Sequence, residues 1–201
     1  MTVNGLPGRP APGGFKASSP RSRLAAALAS VIVAALALAP SFAAAHGATP
    51  QKVVETIEIA APPEKVWAVV GDFADVSWRP EIERAEAEGG NVPEKATRRL
   101  YYKRGGYLDE RLVQYDAAAM SLRYIIERAD INVLPVGNLS ATLTVRGLGE
   151  GAARVEWKSR FYRAFPGGNP PEQFTDEVAI DAVTRLFKAG LASLKAKLER
   201  P

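Results

Sequence analysis

Glu110 lies between Leu108 and Leu112 in an alternating stretch whose even-numbered face points inward, and Arg98 and Arg99 stand one hairpin away across Gly105-Gly106. A carboxylate on such a face can anchor a ligand, take a proton as a general base, or pair with an arginine. Which arginine meets it depends on the turn. A strict two-residue Gly-Gly loop pairs Arg104 with Tyr107 and puts Arg99 on the face of Glu110, whereas one added bulge residue favours Arg98. If Glu110 is a base, Glu110→Gln abolishes turnover and leaves the fold intact.

Other familiar chemistries are excluded by residue type. The 201 residues contain no cysteine and one histidine, His46. Disulfides, thiolate metal sites, covalent haem attachment, iron–sulfur ligation, a cysteine nucleophile and a lipid-bearing cysteine are therefore ruled out. A multi-histidine metal site cannot be built, and a serine–histidine–acid triad would have to use His46. As a new N-terminus His46 offers copper an amine and one imidazole, but no second histidine. No metal and no cofactor is expected. Gly147-Leu-Gly149-Glu-Gly151 has the composition of a phosphate loop but joins two strands and opens no helix, so it is read as a turn.

The first 45 residues hold four of the 26 basic side chains, Arg9, Lys16, Arg21 and Arg23, and no acidic one. The other 22 basic residues are matched by 22 acidic ones, which argues against a nucleic-acid footprint. From Leu24 an apolar, Ala-rich run leads to Pro40 and Ala43-Ala44-Ala45. This is read as a secretory signal cleaved after Ala45 rather than an uncleaved anchor, with no stable membrane span left afterwards. Ser22 separates Arg21 from Arg23, so the twin-arginine pair is missing and export in an unfolded state is expected. Residues 46–51 form a short polar start and 52–201 one domain, large enough for a proper core without disulfides.

Within that domain Val53, Ile57 and Ile59 alternate with polar neighbours as a half-buried strand. Pro62-Pro63-Glu64 then opens a short helix through Val66, Val69, Val70 and Phe73, and residues 72–80 form an irregular stretch or a second short helix stopped by Pro80. Between 81 and 163, five or six antiparallel strands are punctuated by turn residues. In the clearest of them Val155, Trp157, Ser159 and Phe161 face one way and Arg154, Glu156, Lys158, Arg160 and Tyr162 the other, so one side of the sheet is covered and one wet. The Pro/Gly-rich stretch 165–171 leads to a long helix, capped by Asn169 or starting at Thr175-Asp-Glu177. Phe174, Val178, Val183, Leu186, Phe187, Leu191, Leu194 and Leu198 form its apolar stripe. Roughly 25–30 residues, about 40 Å, must lie against the whole sheet. No repeat or second domain boundary is visible.

With Pro62-Pro63-Glu64-Lys65-Val66-Trp67, Trp78-Arg79-Pro80, Asp109-Glu110-Arg111-Leu112, Tyr115-Asp116 and Leu134-Pro135-Val136, residues 51–199 resemble the START-like (SRPBCC) superfamily of polyketide cyclases and lipid-transfer domains. The resemblance implies an α+β helix-grip fold: a curved antiparallel sheet of six or seven strands wrapped on a long C-terminal helix, with one or two short helices after the first strand. Within the superfamily, His46-Gly-Ala-Thr-Pro-Gln-Lys-Val-Val-Glu55, Val155-Glu-Trp-Lys158, Phe161-Tyr-Arg163, Asn169-Pro-Pro-Glu172 and Asp176-Glu-Val-Ala-Ile180 are similar to the MxaD-type periplasmic proteins of bacterial methanol oxidation. That similarity implies a periplasmic accessory role, helping a quinone-dependent methanol dehydrogenase pass electrons to its c-type cytochrome. Such proteins usually show Trp-His-Pro where this chain has Trp78-Arg79-Pro80.

In a helix-grip fold the space between sheet and helix can hold a ligand. Trp67, Trp78, Tyr101, Glu110, Leu112, Tyr124, Trp157, Phe187 and Leu191 are the candidates to line it, each with ordinary core packing as the competing role. Three functions follow: a non-catalytic accessory protein with loop 165–171 as a contact element, a carrier of a small apolar ligand, and a cyclase-like enzyme built on Glu110, the arginines and the tyrosines. No catalytic constellation is evident, so the accessory reading leads.

Overall fold

A computed structural model describes residues 47–149 and 151–200. The leader, its cleavage site and His46 lie outside the described residues. β1 (Gln51–Ile59) is followed by α1 (Pro63–Val70), then β2 (Ile82–Glu88), β3 (Thr97–Tyr102), β4 (Tyr107–Asp116), β5 (Ser121–Ala129), β6 (Val136–Gly147) and β7 (Ala153–Arg163), and finally a 3-10 turn (Glu172–Phe174) and α2 (Asp176–Leu198). The seven strands form one antiparallel sheet in the order β1-β7-β6-β5-β4-β3-β2. The curved sheet holds α2 against its inner face, chiefly over β1 and β7, as a helix-grip fold requires.

Alternation explains which residues go inside. Along β7 Ala153, Val155, Trp157, Ser159, Phe161 and Arg163 are buried and the residues between them are not. Between α1 and β2, residues 72–80 are irregular rather than helical, because the Asp72 and Asp75 carboxylates accept from the backbone N–H groups of Ala74 and Ser77 and hold turns instead.

The long helix has 23 residues, fewer than expected. Thr175 caps it, extended at ψ 167°, with its hydroxyl accepting from the Val178 N–H. That extended residue separates the 3-10 turn from α2, so Asn169 caps nothing. Ala179, Val183, Phe187, Gly190, Leu191, Leu194 and Leu198 form the buried stripe of α2. Gly190 is where the helix comes closest to the tryptophans: a Cβ there would stand 2.9 Å from the Trp157 ring and 3.2 Å from that of Trp78. Among the described residues no helix is long and apolar enough to cross a membrane.

Candidate functional site

The β3–β4 turn decides what meets Glu110. Tyr101 pairs with Tyr107, and the Tyr102 N–H donates to the Gly106 carbonyl, so the loop is longer than a two-residue Gly-Gly turn. Gly106 takes φ +79°, and a Cβ on it would stand 2.3 Å from a Val133 methyl, so a larger residue would be strained and would have to displace that side chain. The resulting register sets Arg98 opposite Glu110 and Arg99 opposite Asp109. Parity then carries Arg98, Leu100 and Tyr102 to the inner face and Arg99 and Tyr101 to the outer one.

Glu110 is held from two sides. Its Oε2 accepts from Arg98 Nε at 2.6 Å and lies 2.6 Å from Arg98 Nη2, while Oε1 is 3.6 Å from Arg79 Nη1. Arg98 also donates to the Phe73 carbonyl at 2.6 Å and lies 4.1 Å over the Phe73 ring. Arg79 donates through Nε to Glu81 at 2.7 Å and through Nη2 to the Tyr102 hydroxyl at 3.2 Å. The side chains of Arg79 and Glu110 are 0% and 1% exposed, so both charges are removed from water and depend on each other. Burial opposes the charge of Arg79, but Glu81, Tyr102 and Glu110 outweigh it and its pKa stands well above the ordinary arginine value. Burial also raises the phenols of Tyr102 and Tyr124 well above the usual tyrosine range, so both keep their protons at neutral pH.

Next to this network the interior is filled with rings. Trp157 stacks on Phe187 with centroids 4.1 Å apart and an 11° tilt, and meets Trp78 edge-on at 5.2 Å. The Trp157 indole N–H donates to the Tyr124 hydroxyl at 3.1 Å, and that of Trp78 to the Asp75 carbonyl at 3.2 Å. Leu112 and Leu191 are buried in the same core.

Of the residues the sequence nominated, the structure therefore brings Trp78, Glu110, Leu112, Tyr124, Trp157, Phe187 and Leu191 together. Trp67 is only half-buried and packs at the edge of the core beside Tyr115, ring centroids 5.6 Å away. Tyr101 is a correction: it lies on the outer face under the Arg84 guanidinium at 3.5 Å, its hydroxyl donating to Glu86. The hairpin register exchanges it for Tyr102. Phe73, Arg79, Glu81 and Tyr102 complete the site. The signal for Tyr102 was its parity with Leu100; Arg79 sits on irregular chain, where no periodicity reports a direction.

Open space begins where the network ends. A cleft of about 550 Å³ lies between α2 and the β3–β4 hairpin, lined by Pro80, Glu81, Tyr102, Val133, Leu134 and Leu186, with Lys103, Arg104 and Arg185 also around it. One Glu81 carboxylate oxygen, Oε2, is buried there with no hydrogen-bond partner among the described residues.

At the opposite end Arg163 organises loop 165–171. It donates to the carbonyls of Phe165 at 2.8 Å and Gly167 at 2.6 Å, and to Asp176 at the start of α2 at 2.9 Å.

A curved seven-stranded antiparallel sheet gripping a long C-terminal helix, with a short helix after the first strand, defines a START-like domain. The family model for polyketide cyclase / dehydrase and lipid transport matches residues 50–199, and the chain belongs to that family. Among solved structures, the protein XoxI from Bacillus cereus is 25% identical, with 73% of this chain and 94% of that one covered and a TM-score of 0.63. The Zhui aromatase/cyclase from Streptomyces sp. R1128 is 22% identical over 76% and 95% of the two chains, TM-score 0.59. A START superfamily protein from Mycobacterium smegmatis is 16% identical over 74% and 97%, TM-score 0.57. The last two establish the fold alone. No curated protein matches the sequence.

Proposed function

We propose that this protein is a non-catalytic accessory protein of the family that acts through its surface, assisting electron transfer from a quinone-dependent methanol dehydrogenase to its c-type cytochrome in the periplasm. One observation carries the non-catalytic part: the space under α2 beside Glu110 is taken up by aromatic rings. Trp78, Trp157 and Phe187 fill the interior, and Glu110, the nominated base, has both oxygens facing arginines. A base must reach the proton it abstracts, and the Glu110 side chain is 1% exposed. The redox pair as partner rests on the similarity of the mature start, of β7 and of residues 169–180 to MxaD-type proteins, and the periplasm on the leader. Loop 165–171, fixed by Arg163, gives the surface a contact element with little ordering cost on docking. Deleting the protein from its host is expected to slow methanol-dependent cytochrome reduction severalfold while the amounts of dehydrogenase and cytochrome stay constant. An unchanged rate overturns the proposal.

A second reading, a carrier of a small apolar ligand, draws on the cleft at Tyr102. Apolar walls, unpartnered Glu81 Oε2 and three cations suit an amphipathic molecule. Native mass spectrometry of the protein taken gently from its host is the check. Under this reading a reproducible small-molecule adduct is expected, and Leu186→Trp, which narrows the cleft at a half-buried position, removes it without unfolding the domain. A bare protein overturns the carrier reading.

A further inference from the structure

The outer face of β1, β7, β6 and β5 carries a group of cations that neither the fold nor the buried site uses. Register places Lys52 of β1 directly opposite Arg160 of β7, and Arg160 opposite Ser140 of β6. One row along, Lys158 stands opposite Thr142, and Thr142 opposite Arg123 of β5. Four cations thus surround the two small hydroxyl residues Ser140 and Thr142, which floor a groove of about 220 Å³. All four basic side chains are exposed. Among the described residues Lys52, Arg123 and Arg160 form no ion pair, and Lys158 meets only Glu156, at 3.6 Å.

This arrangement opposes stability. Like charges directly across a strand pair repel, and Lys52 with Arg160 is such a pair with no acid between. Nor is it a consequence of overall basicity, because outside the leader the chain has as many acidic as basic residues. The positive potential is therefore local, and local fields of one sign steer and orient partners of the other. Two exposed non-polar groups border it, Val54 at 41% and Tyr162 at 39% exposure. Arginine and tyrosine are the residues that protein interfaces favour at their centres. Past Tyr162 the surface continues into a second groove, lined by Gly47, Ala48, Asn138 and Pro166, which reaches loop 165–171.

We infer that the outer face around Lys52, Arg123, Lys158 and Arg160 is a docking surface for an acidic protein. The inference deepens the accessory reading and rests on it for the kind of partner, a redox protein; the face itself rests on the strand register. An extended acidic peptide, decaglutamate, is the defined probe, titrated into the isotope-labelled full protein at low salt. Backbone amide resonances of β1, β5, β6 and β7 around the four cations are expected to shift, with binding weakening at least about tenfold at physiological ionic strength. The Lys158→Glu/Arg160→Glu variant is expected to lose at least about tenfold in affinity, while Lys65→Glu/Lys95→Glu, the same charge change elsewhere, binds as the parent does. Equal losses in the two variants overturn the inference. So does inorganic phosphate shifting the same resonances as tightly as the peptide, which marks a small-anion site, or phosphatidylglycerol vesicles sedimenting a protein that ignores the peptide, which marks a membrane face. The redox assay separates the two levels. If the protein speeds dehydrogenase-to-cytochrome transfer and Lys158→Glu/Arg160→Glu does so equally well, the docking face is wrong and the accessory function stands. If neither affects the rate, the accessory function is wrong and the peptide titration alone decides the face.

Discussion

Glu110→Gln is expected to destabilise the domain by about 3–5 kcal/mol, a large part of the roughly 5–15 kcal/mol that a domain of this size has in total. The carboxylate lies 2.6 Å from two nitrogens of Arg98 and 3.6 Å from Arg79, and its side chain is 1% exposed. An amide keeps one acceptor but turns an N–H₂ toward guanidinium donors and leaves two buried cations short of negative charge. Arg79 retains Glu81, whereas Arg98 retains only the Phe73 carbonyl and the rings of Phe73 and Tyr124. Loss of one partner of a buried pair costs more than removal of both, because the survivor remains desolvated and unpaired. The double variant Arg98→Met/Glu110→Met is therefore expected to recover much of the loss, and denaturant unfolding of the parent, the single and the double variant measures it. A Glu110→Gln protein as stable as the parent would mean that the pair contributes little, and would reopen Glu110 to a chemical role.

Phe187→Ala is expected to cost about 3–5 kcal/mol and to lower the melting temperature by on the order of 10 °C. Phe187 is 1% exposed and stacked on Trp157, which in turn meets Trp78. Truncation removes the buried ring, ends the stacking and leaves a cavity that the indoles, fixed by hydrogen bonds to Tyr124 and to the Asp75 carbonyl, cannot close. That cavity is dry and apolar, so benzene is expected to raise the melting temperature of the variant and not of the parent. Calorimetry with and without benzene reads both effects. A loss below about 1 kcal/mol would show that the space under α2 is already slack, and would favour the carrier reading over the accessory one.

Both predictions concern residues legible in the sequence, and their legibility has a common cause. Alternation over β7 fixed the inward direction of Trp157, and alternation over β4 that of Glu110, because a strand's side chains must go to one face or the other. Helical spacing identified Phe187 and Leu191 on the apolar stripe of α2 in the same way. The order of elements and the helix-grip architecture followed from those periods together with the family motifs.

What periodicity could not provide is the relation between elements. Whether Arg98 or Arg99 meets Glu110 depends on the length of one hairpin loop, and the same loop places Tyr101 outside and Tyr102 inside. Arg79 reaches Glu110 from an irregular segment turned by Asp72 and Asp75, and a segment without a period carries no statement of direction in its sequence. Whether the interior was a chamber or a core was equally undetermined, because it depends on how closely α2 approaches the tryptophans, a distance that Gly190 permits but does not announce. The cations Lys52, Arg123, Lys158 and Arg160 lie as much as 108 positions apart in the chain and were invisible as a group. Which face a residue takes is written locally, since a side chain's direction follows from backbone period. Which partners it meets is settled on folding, since register, loop length and helix approach are set by packing between segments distant in sequence.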